Sequence, residues 1–287
     1  MRIDLDDLYQ YPLYRPPSEA YSLILQVTLG CSHNKCSFCT MYKGKKYQVK
    51  PLDEIKKEID IFKEHLGRVK RVFLADGDAL SIETKKLIEI LKYIKEKFPD
   101  CERISCYASP KSIAEKSDEE LKEIKKQGID LLYIGIESGD NEVLKAIHKD
   151  VTAQEHIYLC NRVKKAGFKI SATFIVGICG DKDWTSHAIK TGEIISIIKP
   201  DYVGILRLRI NKGSELEYLM KQGKYKMADT LSIIKEMKLM LEHINTDSEI
   251  IYRANHASNY VPLGGTLPQD KELIIRQLDR VIESGRY

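Results

Sequence analysis

The sequence lacks the features of membrane-spanning, secreted and nucleic-acid-binding proteins. Its apolar runs, such as 131–136 and 172–179, are far shorter than the roughly 18 residues that cross a bilayer. The first residues, MRIDLDDLYQYP, contain no apolar core of a secretory signal. Lysine plus arginine number 46 and aspartate plus glutamate 42, so the formal net charge is only +4. We therefore expect a soluble, cytoplasmic protein with neither a membrane nor a nucleic acid as its partner.

A second C-x2-C motif is also absent, although the chain contains seven cysteines. An odd number in 287 residues does not suit a disulfide framework, and a chain of this length can bury a core without one. Cys31, Cys36 and Cys39 are spaced C-x4-C-x2-C. A structural zinc site needs four ligands, and only His33 in this loop could add a fourth. Three thiolates on one loop suit a [4Fe–4S] cluster with one iron left for a small molecule.

Strand and helix patterns alternate along most of the chain. Strands are predicted at 21–28, 69–76, 103–107, 130–136, 168–177 and 202–210, and helices at 51–65, 82–97, 117–127, 152–166 and 184–198. Several strands are almost entirely apolar, which is typical of parallel strands that are covered on both faces. This α/β pattern predicts a partial (β/α)6 TIM barrel with its chemistry at the carboxyl ends of the strands.

The predicted barrel occupies residues 20–215. Residues 1–19 are interpreted as an N-terminal strap, and 216–287 as a C-terminal extension of helices and loops that covers the barrel. Two helices are expected in this extension, at 229–243 and 269–283, with a polar loop between them.

The cysteine loop resembles that of the radical SAM superfamily, whose usual spacing is C-x3-C-x2-C. The first gap is one residue longer here, and Phe38 matches the aromatic residue that lies near the adenine in the family. The core is most similar to the branch of coproporphyrinogen dehydrogenases and methylthiotransferases. The resemblance implies a [4Fe–4S] cluster held by Cys31, Cys36 and Cys39, with S-adenosylmethionine (SAM) on the open iron. Its reductive cleavage gives a 5′-deoxyadenosyl radical that abstracts hydrogen from the substrate.

Four strand ends carry further matches to this branch. The resemblance assigns cofactor-binding roles to residues in all four: Asp76, Gly77, Asp78, Ser109, Glu137, Ser138, Lys149, Thr173, Val176, Gly177 and Ile178. It places the Asp-Gly-Asp segment at the SAM amino group, Glu137 at the ribose and Lys149 at the SAM carboxylate. The main chain at 176–178 would meet the adenine.

The sixth strand and the segment after it contain weaker candidates. Arg207 could meet the SAM carboxylate or an anionic group of the substrate if it faces the barrel interior, whereas on the outer face it would only be solvated. His256, Tyr260 and Cys179 are candidates for catalysis, although Cys179 also suits simple packing.

A small molecule or peptide is the expected substrate, and a low-potential flavodoxin or ferredoxin the expected electron donor. Two alternatives remain open. The chain could bind an Fe–S cluster and SAM without radical chemistry, as a sensor, an assembly factor or a non-radical enzyme. It could also be a zinc-binding interaction module that uses the three loop cysteines and His33.

Overall fold

The computed structural model describes residues 5–285, in which strands and helices alternate as predicted. The strands are β1 (Leu23–Gln26), β2 (Thr28–Leu29), β3 (Gln48–Val49), β4 (Arg71–Ala75), β5 (Arg103–Tyr107), β6 (Ile129–Glu137), β7 (Lys169–Val176), β8 (Tyr202–Arg207), β9 (Ile250–Ala254) and β10 (Leu263–Leu267). The helices are α1 (Leu52–His65), α2 (Thr84–Lys97), α3 (Pro110–Ala114), α4 (Asp118–Lys126), α5 (Asn141–Ala146), α6 (Ala153–Lys165), α7 (Thr185–Ile198), α8 (Glu215–Lys221), α9 (Thr230–Glu242) and α10 (Lys271–Ser284).

Most strands belong to one sheet, in the order β1-β4-β5-β6-β7-β8-β9-β10. The pairs β1–β4, β4–β5, β5–β6, β7–β8 and β8–β9 are parallel, whereas β9–β10 is antiparallel. The predicted α/β class with a mostly parallel sheet is therefore confirmed. Among residues 5–285, no helix combines the length and the apolar character that crossing a membrane requires.

The chain divides into two compact units, and the predicted boundaries after residues 19 and 215 remain predictions. The first unit comprises Met1–Asn34, Met41–Ile134 and Arg162–Lys169. In it, α2 buries Leu87, Ile90, Leu91 and Ile94, the apolar face that its sequence predicts.

The N-terminal residues of the first unit are tied to its sheet. The hydroxyl of Tyr9 donates to the carbonyl of Ile24 at 2.8 Å. Glu19 is fully buried and accepts hydrogen bonds from Arg103 at 2.7 Å and from the Tyr133 hydroxyl at 2.6 Å. Because a buried carboxylate is costly without such partners, these bonds fix the segment before β1 on β5 and β6.

The second unit comprises Lys35–Thr40, Gly135–Asn161 and Ile170–Tyr287. Two helices are found where the C-terminal extension was expected to have them, as α9 and α10. The segment between them, expected to be a polar loop, contains β9 and β10. Ile250, Tyr252 and Ala254 of β9 are buried in alternation, and β9 pairs with β8 with Tyr202 opposite Ile251. The polar residues that follow β9 conceal this short strand in the sequence.

The start of α4 follows the predicted capping pattern. The Ser117 hydroxyl accepts from the amide of Glu120 at 3.1 Å, and the Glu120 carboxylate accepts from the amide of Ser117 at 2.8 Å. These two bonds satisfy amides that have no partner within the helix, so the helix begins at a defined residue.

Replacement of this cap provides a test of the local fold. Ser117→Ala is expected to lower the free energy of unfolding by about 1 kcal/mol, because the Glu120 amide loses its acceptor. Ser284→Ala, at an exposed serine in the last turn of α10, is the control and should change it by less than about 0.5 kcal/mol. Urea unfolding followed by circular dichroism measures both, and equal losses in the two variants would contradict the assigned cap.

Candidate active site

The three loop cysteines lie between β2 and β3. All three are partly exposed and none is in a disulfide, and the Cys39 amide donates to the Cys36 carbonyl at 3.2 Å. Within residues 5–285, no three or more His, Cys, Asp or Glu side chains form a group that could hold a metal ion. Cys31, Cys36 and Cys39 therefore remain predicted ligands. Three cysteines on one short loop nevertheless fit an iron–sulfur cluster, since thiolate sites often form only together with their metal.

In the first unit, Gly77 packs against the start of the cysteine loop. A Cβ atom at Gly77 would lie 2.9 Å from the ring of Tyr42, 3.0 Å from the carbonyl of Gly30 and 3.1 Å from the Cβ of Cys31. The Gly77 amide also donates to the Gly30 carbonyl at 3.1 Å. Only glycine fits this contact, so the end of β4 fixes the position of Cys31.

Asp76 lies fully buried beside this contact. Its Oδ2 accepts from Gln26 at 3.1 Å, from Lys45 at 3.0 Å and from the Gly30 amide at 3.3 Å. Its Oδ1 is buried and has no hydrogen-bond partner in the described part of the chain. A buried acceptor without a donor is rare in folded proteins. It suits the ammonium-type donor that the sequence predicts at this segment.

Asp78 is also buried, and its carboxylate contacts Ser109, another residue that the sequence predicts at the site. Its carboxylate accepts from the amide of Ser109 at 3.1 Å, from the Ser109 hydroxyl at 2.6 Å and from the hydroxyl of Ser32. Burial raises the pKa of Asp78, and these hydrogen bonds oppose the rise. Ser109 also caps α3, so one carboxylate joins the cysteine loop to the start of a helix.

In the second unit, Glu137 and Lys149 form an ion pair. Lys149 Nζ lies 3.0 Å from Glu137 Oε1, and the side chains are 11% and 10% exposed. Glu137 has a φ of +69°, a left-handed conformation that non-glycine residues rarely adopt. The structure thus unites two predicted cofactor-binding residues and holds one of them in an unusual backbone conformation.

Ser138 and Gly177 are joined by two residues that the sequence did not single out, His187 of α7 and Glu236 of α9. Ser138 Oγ lies 2.8 Å from His187 Nδ1, and His187 Nε2 lies 3.2 Å from Glu236 Oε1. Both Glu236 oxygens accept from the Gly177 amide, at 3.1 and 3.0 Å. His187 is 1% exposed and Glu236 is 0% exposed. A glutamate on the apolar face of α9, next to Ile233 and Met237, is the signal that could have identified it.

Two further hydrogen bonds hold the main-chain carbonyls of the turn after β7. The Tyr225 hydroxyl donates to the Gly177 carbonyl at 3.1 Å, and the Val176 carbonyl accepts from the Leu208 amide at 2.9 Å. Gly177 has a φ of +78°, which explains glycine at this position. Several of the main-chain groups predicted to meet adenine are therefore engaged by the protein itself. Thr173, which lies within β7, pairs in register with Gly204 of β8.

Phe38 and Cys179 pack against an apolar cluster in the second unit. The cluster is formed by Ile147, Ile175, Ile178, Leu208 and Leu216. The backbone of the loop is anchored there too, since the Ser37 amide donates to the Ile147 carbonyl at 3.1 Å. Burial raises the pKa of the Cys179 thiol to about 12, so the reactive thiolate is scarce at neutral pH.

The remaining candidates, Arg207, His256 and Tyr260, are brought together by Ser258. Arg207 donates from Nε to the Ser258 carbonyl, and its guanidinium carbon lies 4.3 Å from the centre of the Tyr260 ring. His256 Nδ1 lies 2.8 Å from the Ser258 hydroxyl.

Comparison with known proteins identifies relatives of the whole chain. A family profile described as "Radical SAM superfamily" matches residues 25–191, more than half of the sequence. An uncharacterized protein of Methanocaldococcus jannaschii is 24% identical over 262 residues, which cover 84% of this chain and 80% of that protein. The tRNA-2-methylthio-N(6)-dimethylallyladenosine synthase of Petrotoga mobilis is 23% identical over 288 residues, 96% of this chain and 60% of the synthase.

Solved structures share the fold. The coproporphyrinogen III oxidase of Escherichia coli, described as a radical SAM enzyme, superposes with a TM-score of 0.60 at 16% identity, over 96% of this chain and 61% of the oxidase. Methylornithine synthase superposes with a TM-score of 0.53 at 15% identity, over 91% of this chain and 81% of the synthase. The chain thus spans less than two thirds of the Petrotoga synthase and of the oxidase.

Removal of the buried glutamate tests the second unit. Glu236→Ala leaves the buried Gly177 amide without its acceptor, although His187 Nε2 still has the Ile175 carbonyl at 3.1 Å, so the free energy of unfolding should fall by about 2 kcal/mol. Glu242→Ala, at the exposed end of the same helix, should change it by less than about 0.5 kcal/mol. Urea unfolding of both variants makes the comparison, and similar small losses would show that the Glu236 contacts do not stabilise the turn.

Proposed function

The chain belongs to the radical SAM superfamily, and from this premise we propose that it cleaves SAM reductively and abstracts hydrogen from a small-molecule or peptide substrate. Enzymes of the family use a [4Fe–4S] cluster and SAM. When both are bound, the reduced cluster supplies the electron that breaks a sulfonium bond of SAM and gives a 5′-deoxyadenosyl radical. The residues described below bind and orient the two cofactors.

The observation that carries the proposal is the contact of Gly77 with Cys31. This contact places the first cysteine of the loop against the end of β4, which is buried. Gly77 itself is flanked in the sequence by two buried carboxylates, Asp76 and Asp78. Cys31, Cys36 and Cys39 supply the thiolates, and three thiolates leave one iron of a four-iron cluster open.

Within the first unit, the Asp-Gly-Asp segment and Ser109 receive the amino group of SAM. The partnerless Oδ1 of Asp76 is an acceptor without a donor, which supports this role. Asp78 is already held by Ser32 and Ser109. It therefore acts mainly by fixing the shape of the segment.

Within the second unit, Glu137 and Lys149 bind the polar parts of the nucleoside and the amino acid. Lys149 supplies the charge for a carboxylate, and Glu137 accepts from ribose hydroxyls. Both side chains now contact each other, and with SAM bound each would contact the cofactor. Ser138 and Thr173 line the ribose side. Phe38 and the turn at 176–178 form the apolar surface for the adenine, which the apolar cluster supports.

The partners of this chemistry follow from the same proposal. A low-potential flavodoxin or ferredoxin in the cytoplasm supplies the electron. The formal net charge of +4 is small for a protein that binds RNA, so a small molecule or peptide is favoured as the substrate.

Loss of a loop cysteine tests the proposal most simply. After anaerobic reconstitution, the wild type should contain ~4 irons and ~4 sulfides, absorb near about 400 nm, and form 5′-deoxyadenosine from SAM with dithionite. Cys36→Ala should lose the absorbance and the product, because the cluster loses a ligand. Cys101→Ala is the matched control, since this half-buried cysteine lies outside the loop, and it should keep both.

The other outcomes separate the alternative functions. A cluster that binds SAM but never yields 5′-deoxyadenosine would indicate a sensor, an assembly factor or a non-radical enzyme. A colourless protein with stoichiometric zinc would overturn the cluster assignment.

A further inference from the structure

A group of hydrogen-bond donors lies at the carboxyl end of β8. We infer that Arg207 and His256 bind an oxyanion, a carboxylate or phosphate group of the substrate. This inference rests on the proposed function, and it names a chemical class for the substrate. Of the SAM carboxylate and an anionic group of the substrate, it assigns Arg207 to the substrate.

The guanidinium of Arg207 is fixed in place without an acidic partner. Its Nε donates to the Ser258 carbonyl, the main-chain amide of Arg207 donates to the Ser258 hydroxyl at 3.2 Å, and the guanidinium carbon lies 4.3 Å from the Tyr260 ring centre. Within residues 5–285, its two terminal nitrogens make no hydrogen bond or ion pair. A fixed guanidinium with a free edge matches the two oxygens of a carboxylate or phosphate.

Three other arginines of the chain have carboxylate partners. Arg68 lies 3.1 Å from Asp100, and Arg103 lies 2.7 Å from Glu19. Arg162 lies 2.7 Å from Asp118. The half-buried Arg207 has no such carboxylate partner among residues 5–285, so an anionic group of a ligand can pair with it.

The second donor is the Nε2 hydrogen of His256. The Ser258 amide donates to His256 Nδ1 at 3.1 Å, and the Ser258 hydroxyl lies 2.8 Å from the same atom. A main-chain amide can only donate, so Nδ1 must be an acceptor. The neutral imidazole then carries its hydrogen on Nε2 and presents a donor.

The loop that carries these groups is held rigidly. Ser258 is only 3% exposed and contacts both Arg207 and His256. The Asn259 side chain donates to the carbonyls of Ile205 and Ala254, at 2.8 Å each. Because such bonds already fix these donors, binding an anion costs little further side-chain conformational entropy.

Two features assign this group to the substrate. Arg207 pairs in register with Val176, so it lies at the same sheet edge as the turn at 176–178. The single carboxylate of SAM has another cationic candidate in this unit, Lys149, which leaves Arg207 for a second anion. The ring of Tyr260 is 40% exposed, so the outer face of the group is open to a ligand.

The test uses anaerobic holoprotein with isotope-labelled histidine and an oxidised cluster. Inorganic phosphate and acetate are titrated separately at constant ionic strength, and NMR follows the His256 signal, which is identified by its loss in His256→Asn. One or both anions should shift this signal saturably, with a dissociation constant in the millimolar range. Arg207→Gln should weaken the response at least about tenfold, because the charged donor is lost. Arg253→Gln, on neighbouring β9, should not weaken it.

Three results would overturn the inference. The first is the absence of a saturable shift, and the second is a shift that Arg207→Gln leaves unchanged. The third is a loss of SAM affinity of about tenfold or more in Arg207→Gln, measured by equilibrium dialysis, with the anion response retained. That result would give Arg207 to the SAM carboxylate. Wild-type formation of 5′-deoxyadenosine is measured in parallel, so each of these failures leaves the proposed function separately tested.

Discussion

Buried carboxylates that accept hydrogen bonds from main-chain amides hold the turns at the carboxyl ends of the strands. Asp76 binds the amide of Gly30, Asp78 binds the amide of Ser109, and Glu236 binds the amide of Gly177. A buried carboxylate is tolerated only when donors surround it, so each acid and its turn must be placed together. The turns predicted to hold the cofactors are consequently fixed by contacts within each unit.

Residues beyond the segment that the family profile matches also hold the turn after β7. The family profile covers residues 25–191, yet Glu236, Tyr225 and Ser258 all lie beyond it. These three residues hold the turn after β7 and orient Arg207. The C-terminal part of the chain therefore holds a turn that is predicted to bind the cofactor, and it contains the donors that we assign to the substrate.

Much of the fold is visible in the sequence because its signals are local. The apolar face of α2 and the cap of α4 each depend on residues a few positions apart. The strand β9 was missed because a polar segment follows it directly. The carboxylate of Glu236 lies 59 positions from Gly177 in the chain, and no periodic pattern indicates such a contact. A lone acid on an apolar helix face is the one clue that the sequence offers.

Electron paramagnetic resonance of the reduced protein, recorded with and without SAM, tests the central claim most directly. Three cysteine ligands leave one iron of the cluster free, and SAM is proposed to bind there. The account predicts that SAM changes the spectrum of the reduced cluster while the iron content stays the same. A four-iron spectrum that is identical with and without saturating SAM would contradict it.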